Sequence, residues 1–106
     1  MNDEIGLQIL TNICLYMRVS SSSQTTDNQE MELLQLCERR GFNIVETYKE
    51  TISGNKKNED RKELSRMLED MKKRKWTKIV IYDLTRLGRS VSEVVKTLSL
   101  LDEYKI

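Results

Sequence analysis

Histidine is absent from all 106 residues, which removes imidazole both as a general base and as a metal ligand. Proline is absent too, and no internal repeat is visible. Cys14 and Cys37 are the only cysteines, too few for a disulfide framework or a four-cysteine zinc site. Both lie among apolar neighbours and are expected to be small core residues. No segment approaches the length of a membrane span. The amino terminus, MNDEIGLQIL, carries acids where a signal peptide needs bases. Neither GxxxxGK[ST] nor GxGxxG occurs, so a nucleotide cradled by a glycine loop is not expected. The formal net charge is only +1, which argues against gripping nucleic acid by bulk charge. With 33% charged and 38% hydrophobic residues, the chain is expected to be a single soluble cytoplasmic domain with no membrane partner.

What is present divides into alternating apolar patterns. NICLYMRV, residues 12–19, reads as a buried strand. Thr26 and Gln29 have capping-box spacing, and Met31, Leu34 and Cys37 recur at helical intervals up to a stop at Gly41. FNIVETY, 42–48, reads as a second strand, and 49–60 as a long polar loop. Leu64, Met67, Leu68 and Met71 mark a helix over 61–74. TKIVIYDL, 77–84, reads as a third strand, with Trp76 packed beneath its start. Ser90 and Glu93 have capping-box spacing ahead of a helix marked by Val91, Val94, Val95, Leu98 and Leu101. Strands alternating with helices imply parallel pairing, right-handed crossovers and a layered α/β sheet. Three strands make a small sheet, so more of the domain is expected beyond residue 106.

Ligands of open parallel sheets gather at the carboxyl ends of the strands. There the pattern places Arg18 with Ser20 to Ser23, then Glu50 with Ser53 and Gly54, then Asp83, Thr85, Arg86, Arg89 and Ser90. Arginine forks match pairs of phosphate oxygens, and cations around a hydroxyl suit phosphoryl transfer. A solvated rim of arginines paired with acids fits the same spacing. Without histidine, a proton acceptor must be a carboxylate, water or an arginine-tuned group.

These residues also resemble a known family. YMRVSSSSQTTDNQ resembles the YxRVSxxxQxxxxQ signature of the serine site-specific recombinases, the resolvases and DNA invertases. YKETISG resembles their second-strand loop, DRKEL the start of the next helix, and TRLGRS their DRLGRS. The resemblance implies a three-layer, flavodoxin-like, mostly parallel α/β domain over 12–106, present as a fragment, after an extension of residues 1–11. It further implies later strands, a dimerisation helix and a DNA-binding region beyond residue 106. The implied activity cleaves and rejoins DNA through a 5′-phosphoserine, with no cofactor and no metal. Homodimers would assemble into tetramers during strand exchange.

Carried over residue by residue, the resemblance makes Ser20 the nucleophile and Arg18, Arg86 and Arg89 its phosphate clamp. Tyr16, Gln24, Gln29, Glu50 and Arg61 are implied as supporting residues. Arg18 lies two positions before Ser20, so an extended segment sends both side chains to one face. Glu50 stands where the family more often has aspartate and can orient an arginine, move a proton or be a plain rim acid. Thr85 departs from the family's aspartate, for which Asp83 is a partial substitute. Lys56 and Lys57 are candidate phosphate contacts, whereas KKRK, 72–75, suits a solvated helix end. Three other readings stand beside this one. They are a catalytically silent domain of the same kind, a magnesium-dependent nuclease or phosphatase using Glu50 and Asp83, and a flavodoxin-like binding module.

Overall fold

Five consecutive residues, Ile13 to Met17, are all buried, as a strand covered on both faces requires. In the computed structural model, which describes residues 11–20, 24–52 and 61–106, they belong to β1 (Thr11–Ser20). The chain continues through α1 (Gln24–Arg40), β2 (Phe42–Ile52), α2 (Lys62–Lys72), β3 (Lys78–Val80), a 3-10 turn (Leu84–Leu87) and α3 (Val91–Glu103). β1 is central and parallel to both neighbours, in the sheet order β2-β1-β3.

The alternation of β1 divides the core. Ile13, Leu15 and Met17 join Leu33 and Cys37 of α1 on one face. Cys14 and Tyr16 join Leu64, Met67 and Met71 of α2, with Trp76 and Leu101, on the other. Helices therefore cover both faces, giving the expected three-layer α/β domain. Both cysteines are buried and free, as expected. A bulge between Ile13 and Cys14 skips the register from Ile44 to Glu46, and Arg18 then stands opposite Glu50.

Several expectations are corrected. The first helix begins at Gln24, so the backbone of Thr26 is already helical rather than at the expected cap position. A three-residue spacing of hydroxyl and amide fits a helix interior as well as a cap. Of the three expected positions, Met31 and Leu34 are exposed and only Cys37 faces the sheet, joined there by Leu33. β2 runs on to Ile52, four residues beyond the expected end, because parallel pairing with β1 occupies its backbone. The third strand is reduced to Lys78–Val80. Beyond it, the Asp83 carboxylate accepts the Thr85 amide at 2.9 Å and starts the 3-10 turn, diverting the chain from the sheet. On α3, Val91, Val95 and Leu98 are exposed; Leu101 turns inward as its periodicity implies, and Thr97 joins it.

Candidate active site

The carboxyl end of β1 is tied to the segment leading into α3. Arg18 Nη1 donates to the Gly88 carbonyl at 3.1 Å and to the Thr85 carbonyl at 3.4 Å. Arg86 and Arg89 belong to that segment, so three of the expected clamp residues gather there. Gly88 is required for closeness rather than backbone freedom. A Cβ there would lie 2.7 Å from both Glu93 Cβ and the Val94 nitrogen. Ser20 ends β1, its backbone paired opposite Ile52.

Glu50 is not a rim acid. It is 5% exposed, and its carboxylate accepts the Leu64 amide at 3.0 Å and the Glu63 amide at 3.2 Å. Those amides open α2, whose own cap position, Arg61, makes no side-chain capping bond. β2 thus caps α2 from outside, placing negative charge at the positive end of the helix dipole. The Tyr16 hydroxyl completes the group, donating to Glu50 Oε1 at 3.3 Å. Burial first, and the Glu50 charge second, push the Tyr16 phenol above its ordinary pKa, so Tyr16 stays a donor at neutral pH.

Arg61 and Arg89 meet at Glu93. Half of the expected capping box of α3 forms: Glu93 N donates to Ser90 Oγ at 3.2 Å, but Glu93 Oε1 accepts the amide of Arg89, one residue before the cap, at 2.8 Å. The same oxygen lies 3.3 Å from Arg61 Nη2. The Arg89 amide, ahead of the Arg61, Arg89 and Arg18 guanidinium groups, holds the Glu93 carboxyl below its ordinary value against the effect of burial. Glu93 was legible only as a capping residue; nothing in its spacing marked it as the acid shared by Arg61 and Arg89.

Thr85 serves Asp83. Its amide and hydroxyl both donate to Asp83 Oδ1, and the hydroxyl bond is the first cause of a lowered Asp83 pKa. Arg86 Nη2 lies 3.8 Å from Asp83 Oδ2, and its guanidinium carbon stands 5.8 Å from the Tyr82 ring centroid, within cation–π range. A carboxylate therefore does face Arg86 despite the threonine. Buried Arg86 Nε has no hydrogen-bond partner among the described residues.

Gln29 is half-buried in α1, and Gln24 is its first residue. Expectations for Ser21 to Ser23, Ser53, Gly54, Lys56 and Lys57 lie outside the described residues. Among the described residues, no group of three or more acidic or cysteine side chains is placed to hold a metal ion. No described helix is long and apolar enough to cross a membrane.

The profile of a family described as "Resolvase, N terminal domain" matches residues 13–106. This chain belongs to that family. The serine-recombinase catalytic domain expected from the motifs is thus established as its class. Among solved structures, the domain is similar to the N-terminal catalytic domain of TP901-1 integrase, with a TM-score of 0.76 and 26% identity. That likeness covers 91% of this chain and 73% of the integrase chain. No curated protein matches significantly.

Proposed function

We propose that Ser20 is the nucleophile of a DNA strand-exchange reaction. Its Oγ forms a bond to a backbone phosphorus, the bond to the 3′ oxygen breaks, and the serine proton passes by way of a nearby acceptor to the departing oxygen, which is released as the 3′-hydroxyl. The product is a 5′-phosphoserine link, which keeps the phosphoester bond for rejoining. Arg18, Arg86 and Arg89 stabilise the charge developing on the non-bridging oxygens, Arg61 adds to them, and Gln24 and Gln29 support the site. Tyr16 and Glu50 act at one remove, by holding the amino end of α2.

The observation that carries this reading is the Arg18–Gly88 contact, which joins the strand ending in Ser20 to the segment bearing Arg86 and Arg89. Membership of the resolvase family supports it. By the pattern of that family, residues 12–106 are the catalytic unit of a longer cytoplasmic protein. That protein dimerises, forms tetramers during exchange and holds DNA through a separate region. A silent relative is the second reading, favoured by Thr85 standing where the family has aspartate.

The test uses the full-length parent, DNA carrying its native flanking sequence, and EDTA. An SDS-resistant protein–DNA adduct mapping to Ser20, and absent from Ser20→Ala, is expected. A bound substrate that never yields an adduct would transfer the conclusion to the silent domain. Efficient sequence-specific exchange by residues 1–106 alone would overturn the division of labour.

A further inference from the structure

A cavity of about 240 Å³ lies between the start of α2 and the first half of α3. Arg61, Arg89, Lys96 and Glu93 line it, beside the apolar side chains of Leu64 and Leu87. Three cations thus surround one carboxylate. Lys96 stands three residues after Glu93 on α3, a spacing that puts both on the same helix face.

The carboxylate serves its arginines unequally. Glu93 Oε1 accepts the Arg89 amide at 2.8 Å, in good hydrogen-bonding range. It also lies 3.3 Å from Arg61 Nη2. Yet that nitrogen is closed off from solvent and makes no hydrogen bond among the described residues. Glu93 is near enough to offset the Arg61 charge but is not aligned to receive its N–H. A buried donor in that condition gains from any better-placed acceptor.

We propose that this cleft is a subsite for a DNA backbone phosphate, in which Lys96 is a contact residue and Glu93 is an internal counter-anion that the phosphate displaces from Arg61. The proposal rests on the reading that the chain acts on DNA. A phosphodiester offers two charged oxygens, matching a guanidinium fork and a neighbouring ammonium together. Exchange of one anion for another leaves the cleft no worse compensated, and it supplies Arg61 Nη2 with an acceptor. Helix α3 keeps its cap throughout, because Ser90 Oγ accepts the Glu93 amide independently of where the carboxylate points.

The two variants should move affinity in opposite directions. Glu93→Gln removes the competing charge while keeping a side-chain oxygen for the Arg89 amide, and Lys96→Gln removes an attracting charge at an exposed position. Inorganic phosphate is titrated into the isotope-labelled chain and followed by NMR, then a short DNA duplex is used in its place. Shifts centred on Arg61, Arg89 and Lys96 are expected. Binding should tighten about three- to tenfold in Glu93→Gln and weaken by a similar factor in Lys96→Gln.

Shifts centred instead on residues 72–75 would overturn the subsite. So would a folded Glu93→Gln that binds no tighter, or a Lys96→Gln that binds as well as the parent. Lys96→Gln keeps the test decisive even if Glu93→Gln loses its fold. The Ser20 adduct assay separates the two proposals. An adduct with unaltered phosphate binding in both variants removes only the subsite, and phosphate binding here without an adduct removes only the nucleophile.

Discussion

The Arg18 guanidinium reaches the Gly88 carbonyl at 3.1 Å across 70 positions of sequence. A charged donor on a backbone acceptor fixes a loop more firmly than a neutral pair does. A side chain at position 88 would be costly for a separate reason, the close approach of the start of α3. Gly88→Ala would drive a methyl group against Glu93 Cβ and the Val94 nitrogen, both at 2.7 Å, and the nitrogen cannot rotate away. A loss of about 1–3 kcal/mol is expected for such overpacking, read from urea unfolding. An unchanged midpoint would show that the turn has room to spare.

Glu50→Ala leaves the Leu64 and Glu63 amides and the Tyr16 hydroxyl without their acceptor. Destabilisation of about 2–4 kcal/mol is expected from stranding buried donors at a helix start. Glu50→Gln should lose less, since its carbonyl oxygen still accepts one amide. Chemical denaturation of the two variants side by side checks this, and equal stabilities would remove the capping role.

A second buried carboxylate governs acid stability. The Tyr48 hydroxyl donates to Asp70 Oδ2 at 2.6 Å while accepting the Trp76 indole N–H at 3.0 Å. The Tyr48 bond is the first cause of the lowered Asp70 pKa, working with Lys75 against burial. A depressed carboxyl adds stability above its unfolded pKa, about 3.9, and that stability is lost as pH falls through the folded value. Tyr48→Phe should therefore flatten the acid limb of the stability–pH curve relative to the parent. Parallel curves for the two proteins below about pH 4 would contradict the assignment.

Thr85→Val deletes the hydroxyl that is the first cause of the Asp83 shift. The Asp83 carboxyl should then titrate closer to its ordinary value, as followed by NMR of its side-chain carbon. The Thr85 amide and Arg86 still face Asp83, so the shift should shrink without vanishing. No movement would assign the depression to Arg86 and the amide alone.

Local patterns carried much of the fold. The apolar run ending at Val19, the periodicity of Leu64, Met67 and Met71, the stop at Gly41 (φ 69°) and the Ser90 cap of α3 are all realised. Each depends on neighbours a few residues apart, which a sequence displays directly. The order of strands and helices followed from them, and with it the edge where Arg18, Arg86 and Arg89 gather.

Only the tertiary structure decided which apolar positions of α1 turn inward, because Met31 and Leu34 satisfy helical spacing as well as Leu33 and Cys37 do. It likewise made Glu50 a buried cap and Glu93 the acid between Arg61 and Arg89. A carboxylate's role depends on which donors surround it, and those donors come from segments distant in sequence. Spacing along the chain states which residue types are available, and docking of α2 and α3 on the sheet determines which charges meet.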